Sequence, residues 1–151
     1  MKILLVGGAG YVGGMVTDLL HNDSNHQVTV LDNLLYEESY RKEVSFINQD
    51  VSDFKSMNKI LKRFDIVVWM AGIVGDGACE IDKLKTYLIN VESVKNLKKN
   101  FKGKIIFFST CSVYGINNSI ISEKAKLNPL STYAKTKIEA EKILSDTNCV
   151  I

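Results

Sequence analysis

The chain has 151 residues, of which 46% are hydrophobic and 24% charged, and its formal net charge is +2. Those proportions describe one soluble globular domain with room for a core, and they exclude a disordered, collagen-like or disulfide-stapled chain. So small a charge makes no electrostatic case for a nucleic-acid partner.

The predicted elements alternate between strand and helix throughout. Residues 2–6 form a short apolar run ending in glycines, which suits a buried parallel strand. A helical stretch at 11–20 follows, then a strand at 27–31 (QVTVL). A weaker strand at 44–48 precedes a helix at 53–63 with Asp53 near its start, and 65–70 (DIVVWM) reads as a fourth strand. The helix expected over 80–100 places Ile81, Leu84, Leu88, Val91 and Val94 on one face. Most of the basic excess, Lys95, Lys98, Lys99, Lys102 and Lys104, lies around its end. There it complements the helix dipole and reads as a solvated face. Residues 104–109 (KIIFFS) are a fifth strand, a polar loop runs to about 128, and Pro129 precedes a helix to about 145. Residues 148–151 (NCVI) open a sixth strand. This alternation predicts an α/β fold, a doubly wound parallel sheet in three αβα layers with strand order 3-2-1-4-5-6. The chain stops inside an apolar strand, as a truncated domain would.

Cys79, Cys111 and Cys149 form neither a zinc spacing nor an even disulfide set, which points to a reducing compartment. No metal site is expected. The apolar run at 3–6 is too short for a signal peptide and nothing later could span a bilayer, so a cytoplasmic location and no membrane partner are expected.

Residues 6–14 read VGGAGYVGG, between the first strand and the first helix. Two registers fit: Gly8, Gly10 and Gly13 as G-x-G-x-x-G, or Gly7, Gly10 and Gly13 as G-x-x-G-x-x-G. Glycines here allow a tight turn and let backbone approach a pyrophosphate at the helix N-terminus. Asp32 ends the second strand, 19 residues after Gly13. A carboxylate there accepts hydrogen bonds from a ribose hydroxyl and repels a 2′-phosphate, favouring NAD over NADP. Asp50 follows the third strand, either as a helix cap or as a neighbour of the adenine.

Tyr133 and Lys137 stand four apart in STYAKTK and share a helix face. An ammonium and a positive nicotinamide ring favour the phenolate; lowering a tyrosine pKa by about 3 units takes about 4 kcal/mol. Tyr133 could then take a proton from a substrate hydroxyl. STCSVYG, residues 109–115, lies at the C-terminal end of the fifth strand, where ligands sit in a doubly wound sheet. The Thr110 hydroxyl either bonds the reacting oxygen or caps local backbone.

Together these segments resemble the N-terminal part of an extended short-chain dehydrogenase/reductase of the NAD-dependent epimerase/dehydratase family. The resemblance rests on VGGAGYVGG, VLDN at 30–33, QDVSD at 49–53, INV at 89–91, STCSVYG and Tyr133-x-x-x-Lys137, and it covers essentially the whole chain. It implies Thr110, Tyr133 and Lys137 as catalytic residues. It implies NAD contacts at Gly7, Gly10, Tyr11, Val12, Gly13, Asp32, Asn33, Asp50, Val51, Ala71, Gly72, Asn90 and Ser109, shared with Tyr133 and Lys137. The implied reaction is epimerisation of a nucleotide-activated sugar through a transient ketone, with a reductase or dehydratase on the same scaffold as alternatives. A non-catalytic dinucleotide-binding or regulatory module is the reading from another class. Cys111 and Ser112 replace the Asp-Glu pair usual in 4,6-dehydratases, which argues against water elimination. The sugar-binding C-terminal part usual in the family is absent from these residues. The 80–100 and 129–145 helices resemble the family's dimer-forming pair, with Tyr87, Leu88 and Ile138 as candidates for a homodimer interface.

Overall fold

The computed structural model describes residues 1–22, 25–36 and 39–151. Six strands, β1 (Lys2–Val6), β2 (Gln27–Asp32), β3 (Ser45–Asn48), β4 (Ile66–Trp69), β5 (Lys104–Phe107) and β6 (Cys149–Val150), form one sheet in the order 3-2-1-4-5-6. Every pairing is parallel, as the doubly wound pattern requires. The two-residue β6 sits beside β5, with Ile105 opposite Cys149 and Ile106 opposite Val150.

Alternation along the strands sorts the core into two layers. Ile3, Leu5, Val28, Val30 and Val68 face one way, and Val16 and Leu20 of α1 (Tyr11–His21) cover them. Leu4, Val6, Leu31, Val67, Trp69, Ile105 and Phe107 face the other way. Their cover is Met57 and Leu61 of α2 (Phe54–Leu61), Val94 and Leu97 of α5 (Ser93–Asn100), and Ala140 and Leu144 of α6 (Thr132–Leu144). Asp53 caps α2 by accepting from Ser56 N–H, and Ser131 caps α6 by accepting from Ala134 N–H.

The segment expected as one helix over 80–100 is built differently. It comprises α3 (Asp76–Ile81), α4 (Lys83–Tyr87), a π turn at Leu88–Glu92, and then α5. Asp82, in extended conformation, ends α3 and caps α4 through Lys85 N–H. The break and the wider turn rotate the apolar positions out of phase. Val91 and Val94 are fully buried, whereas Ile81 is 87% and Leu84 86% exposed, so these residues do not share one face. On α5 and beside it, Lys95 pairs with Glu92 at 2.7 Å and Lys98 with Asp146 at 2.5 Å, as a solvated face would.

After β5 the chain makes a 3₁₀ turn at Cys111–Tyr114 and then a long loop. The loop returns to its own start: Asn128 N–H donates to the Val113 carbonyl at 2.9 Å. Gly115, at φ 66°, lies so close to Asn128 that a Cβ would stand 2.3 Å from its carbonyl oxygen. Among the described residues, no helix is long and apolar enough to cross a membrane.

Candidate active site

In a doubly wound sheet the crevice opens where the strand order reverses, here between the C-terminal ends of β1 and β4. A cavity of about 580 Å³ occupies that position. Its floor is the glycine turn. Gly7 has φ 82°, and a Cβ on it would lie 2.5 Å from Ala71 N, so the β1 end and the β4 end meet backbone to backbone. Gly13 packs as closely, since its Cβ would fall 2.2 Å from the Gly7 carbonyl oxygen. At Gly10 an added Cβ would find only Gly7 O, at 3.5 Å. The left-handed Gly7 selects the Gly7-Gly10-Gly13 register. Gly8 packs instead on Val30, 2.9 Å from where its Cβ would be.

Gly7, Gly10, Tyr11, Val12, Gly13, Asp32, Asn33, Val51, Ala71 and Gly72 all line this cavity. One Asp32 oxygen accepts from Ala9 N–H at 3.1 Å and the other from Leu34 N–H at 2.9 Å, which ties the β2 end to the glycine turn. Leu34 pays for that link with a left-handed φ of 56°. Asp50 stands behind the wall. Its carboxylate takes Asn33 Nδ2–H at 2.9 Å and Ser52 N–H at 2.8 Å. Burial pushes its pKa up, but the bonds from Ser52 and Asn33 and the charge of Lys85 outweigh this and hold it below the ordinary aspartate value.

Asn90 lies in the π turn, 3% exposed, and outside the cavity lining. Its Oδ1 accepts from Ile73 N–H at 2.8 Å, and its Nδ2 donates to the Ile73 carbonyl at 3.0 Å. The same Nδ2 donates to Thr136 Oγ1 at 3.2 Å, and Thr136 donates to the Tyr133 carbonyl at 2.8 Å. One asparagine thus joins the loop after β4 to the helix carrying the tyrosine.

Tyr133 and Lys137 project from α6 toward the end of β5. Burial raises the Tyr133 pKa above 10, and a hydrogen bond with Thr110 pulls the other way. Thr110 also caps the 3₁₀ turn by accepting from Ser112 N–H at 3.2 Å, the second of the two roles anticipated for its hydroxyl. The Lys137 ammonium turns toward β5 rather than acting on the phenol. It donates to the Phe108 carbonyl and stands 4.0 Å from the centroid of the Phe107 ring. With the residue only 7% exposed, burial pushes the lysine down to about 8, against the raising influence of Glu141. Ser109 donates its hydroxyl proton to Glu141.

This geometry has known counterparts. The model of the NAD dependent epimerase/dehydratase family matches residues 3–148. The chain belongs to that family. It is 31% identical to the UDP-glucose 4-epimerase of Bacillus subtilis over 162 residues, covering 97% of this chain and 48% of that protein. It is 32% identical to a probable UDP-arabinose 4-epimerase of Arabidopsis thaliana, covering 95% of this chain and 39% of that protein. Among solved structures, the UDP-Glc/GlcNAc 4-epimerase of Campylobacter jejuni superposes with a TM-score of 0.84 at 31% identity, over 96% of this chain and 48% of that one. The Brucella ovis UDP-glucose 4-epimerase, in complex with NAD, gives 0.86 at 28% identity, over 96% and 47%. The chain spans about half the length of such relatives or less.

Within this epimerase/dehydratase fold, sequence reasoning missed Thr136 and Glu141. Their signal was helical spacing: Tyr133, Lys137 and Glu141 recur every four residues on one face of α6. The role of Thr136 emerges only with the π turn, which no local pattern announces.

Proposed function

We propose that this chain is the cofactor-binding and catalytic-tyrosine part of an NAD-dependent nucleotide-sugar epimerase. The observation that supports it most is the convergence of two sets of residues on the C-terminal edge of one sheet. The glycine cradle and Asp32 line the crevice, and Thr110, Tyr133 and Lys137 stand at the end of β5. The residues present suit a dinucleotide. Gly10 leaves open space where a side chain would stand, and the first turn of α1 lines the cavity, offering backbone N–H groups to a pyrophosphate. Asp32 presents a carboxylate to a ribose and opposes a 2′-phosphate. When bound, NAD supplies reversible hydride acceptance at a sugar carbon. Tyr133 removes the proton of the hydroxyl on that carbon and later returns it. Thr110 holds the same oxygen, and Lys137, its ammonium turned to the Phe108 carbonyl at the end of β5, holds the nicotinamide ribose.

Epimerisation is favoured over dehydration because Cys111 and Ser112 stand beside Thr110, and neither can protonate a departing hydroxyl as a carboxylic acid does. Homodimerisation belongs to the same proposal. Ile81, Leu84, Tyr87 and Leu88 are exposed on α3, α4 and the π turn, whereas Ile138 is already buried within the chain. The test combines NAD titration with an assay for interconversion of a UDP-hexose and its epimer. Tyr133→Phe is expected to abolish turnover in the full-length protein and leave NAD affinity within a few-fold. Unchanged turnover, or a wild type that does not bind NAD, overturns the proposal.

A further inference from the structure

Lys137 is a buried cation with little to hold its charge. Its partners are the Phe108 carbonyl, the Phe107 ring at 4.0 Å, and the field of Glu141 one helical turn further on. A carbonyl and a ring face both favour an ammonium, but neither carries a formal negative charge. Glu141 does, and it does not swing free: the Ser109 hydroxyl, at the end of β5, donates to its Oε1. We propose that Glu141 is a positioning residue of this site, whose carboxylate, anchored by Ser109, is the counter-charge that keeps the buried Lys137 protonated. Its functional weight rests on the role given to Lys137 above.

The elements packed on α6 carry other ionisable groups, and they are engaged elsewhere. From α3, Glu80 bonds Thr132 and Lys83, and Cys79 donates to the Ile73 carbonyl. Tyr87 of α4 donates to Glu139 at 2.5 Å, and Lys95 and Lys98 of α5 pair with Glu92 and Asp146. From the 3₁₀ turn, Cys111 is exposed and acts on Tyr133, while Tyr114 donates to the Glu123 carbonyl. On α6 itself, the Tyr133 phenol feels Thr110 and the burial around it. Glu141, one turn further along α6, is the charge that works against the burial of Lys137. A second consequence follows for Ser109. With its proton committed to Glu141, its oxygen meets any ligand only as an acceptor.

The test is the titration of Lys137 itself, followed by NMR of the lysine Cε and Nζ in the labelled chain, with Lys137→Met to assign the signal. Glu141→Gln keeps an acceptor for the Ser109 hydroxyl and removes only the charge. It is expected to weaken proton affinity at Lys137 at least tenfold, moving its midpoint from about 8 to about 7 or below. Glu141→Asp, with the charge drawn back by one methylene, is expected to fall between. A merely structural Glu141 predicts the wild-type midpoint in Glu141→Gln, and that result overturns the proposal. If neither variant folds, Glu141 is structural and the proposal falls as well. Because the titration is read without cofactor, a chain that fails to bind NAD defeats the proposed function and leaves this measurement standing.

Discussion

Gly13→Ala sets two effects of opposite sign against each other on α1. In a helix interior, alanine is favoured over glycine by about 1 kcal/mol, so propensity alone predicts a stabler chain. Packing predicts the reverse. The added carbon would lie 2.2 Å from Gly7 O, 2.6 Å from Gly8 Cα and 2.9 Å from Gly8 C, all backbone atoms that cannot rotate away. Relief requires α1 to back off the turn by about 1 Å, and overpacking of that kind costs about 1–3 kcal/mol. Gly14→Ala is the internal control. It lies in the same helix, and its Cβ would touch only the end of Lys42, at 3.5 Å from Nζ. Propensity should win there, for a gain of about 0.5–1 kcal/mol. The propensity gain is common to both, so urea unfolding and thermal melts of the two variants should separate by the overpacking cost of about 1–3 kcal/mol, which is about 2–12 °C in Tm for a domain of this size. Gly13→Ala should also weaken NAD binding, because the displaced Gly7 carbonyl is part of the turn beneath the cavity. Equal stability of the two variants would refute the steric argument.

Two further predictions concern charge. Lys137 titrates at about 8 in the folded chain and at its ordinary 10.5 when unfolded, so the unfolded state binds more protons between those values. This group therefore adds stability as pH rises from about 8 to 10.5, by up to about 3 kcal/mol, and adds none below 8. Urea melts at pH 7 and pH 10 should show that rise in the wild type relative to Lys137→Met, and parallel curves would reject it. Asp32→Ala should weaken NAD binding and relax the bias against NADP, measured by titration with each dinucleotide. Since Asp32 also bonds Ala9 and Leu34, some stability should go with it, about 1 kcal/mol; an unaltered dinucleotide preference would remove Asp32 from the specificity argument.

The sheet was legible because parallel strands buried on both faces read as apolar runs, and each run here ends in a glycine, an aspartate or a polar loop. Gly7, Gly13 and Asp32 were legible for a related reason: the backbone approaches they permit are set by local chemistry, and the structure shows those approaches directly. The region 80–100 was misread because a 3.6-residue period was carried through Asp82 and through the π turn. Each of these resets the phase, so Ile81 and Leu84 emerge exposed while Val91 and Val94 are buried. What no local pattern shows for Asn90 is how it is held: its bonds run to Ile73, which lines the cavity, and to Thr136, residues 17 and 46 positions away. The direction of the Lys137 ammonium was also beyond a linear reading. Spacing put it near Tyr133, and only the tertiary fold brings the Phe108 carbonyl close enough to claim it.

The closure between Val113 and Asn128 separates this molecule into parts that can vary independently. Main-chain contact at Val113, Gly115 and Asn128 fastens both ends of the intervening segment, so its length does not set the spacing of Thr110 and Tyr133. Doubling such a loop costs only about 0.6 kcal/mol of closure entropy. Segments of different length and sequence can therefore be exchanged between these two posts, like cassettes, with the hydroxyl and phenol left in register. The two catalytic candidates are thus insulated from drift in the stretch of chain that joins them.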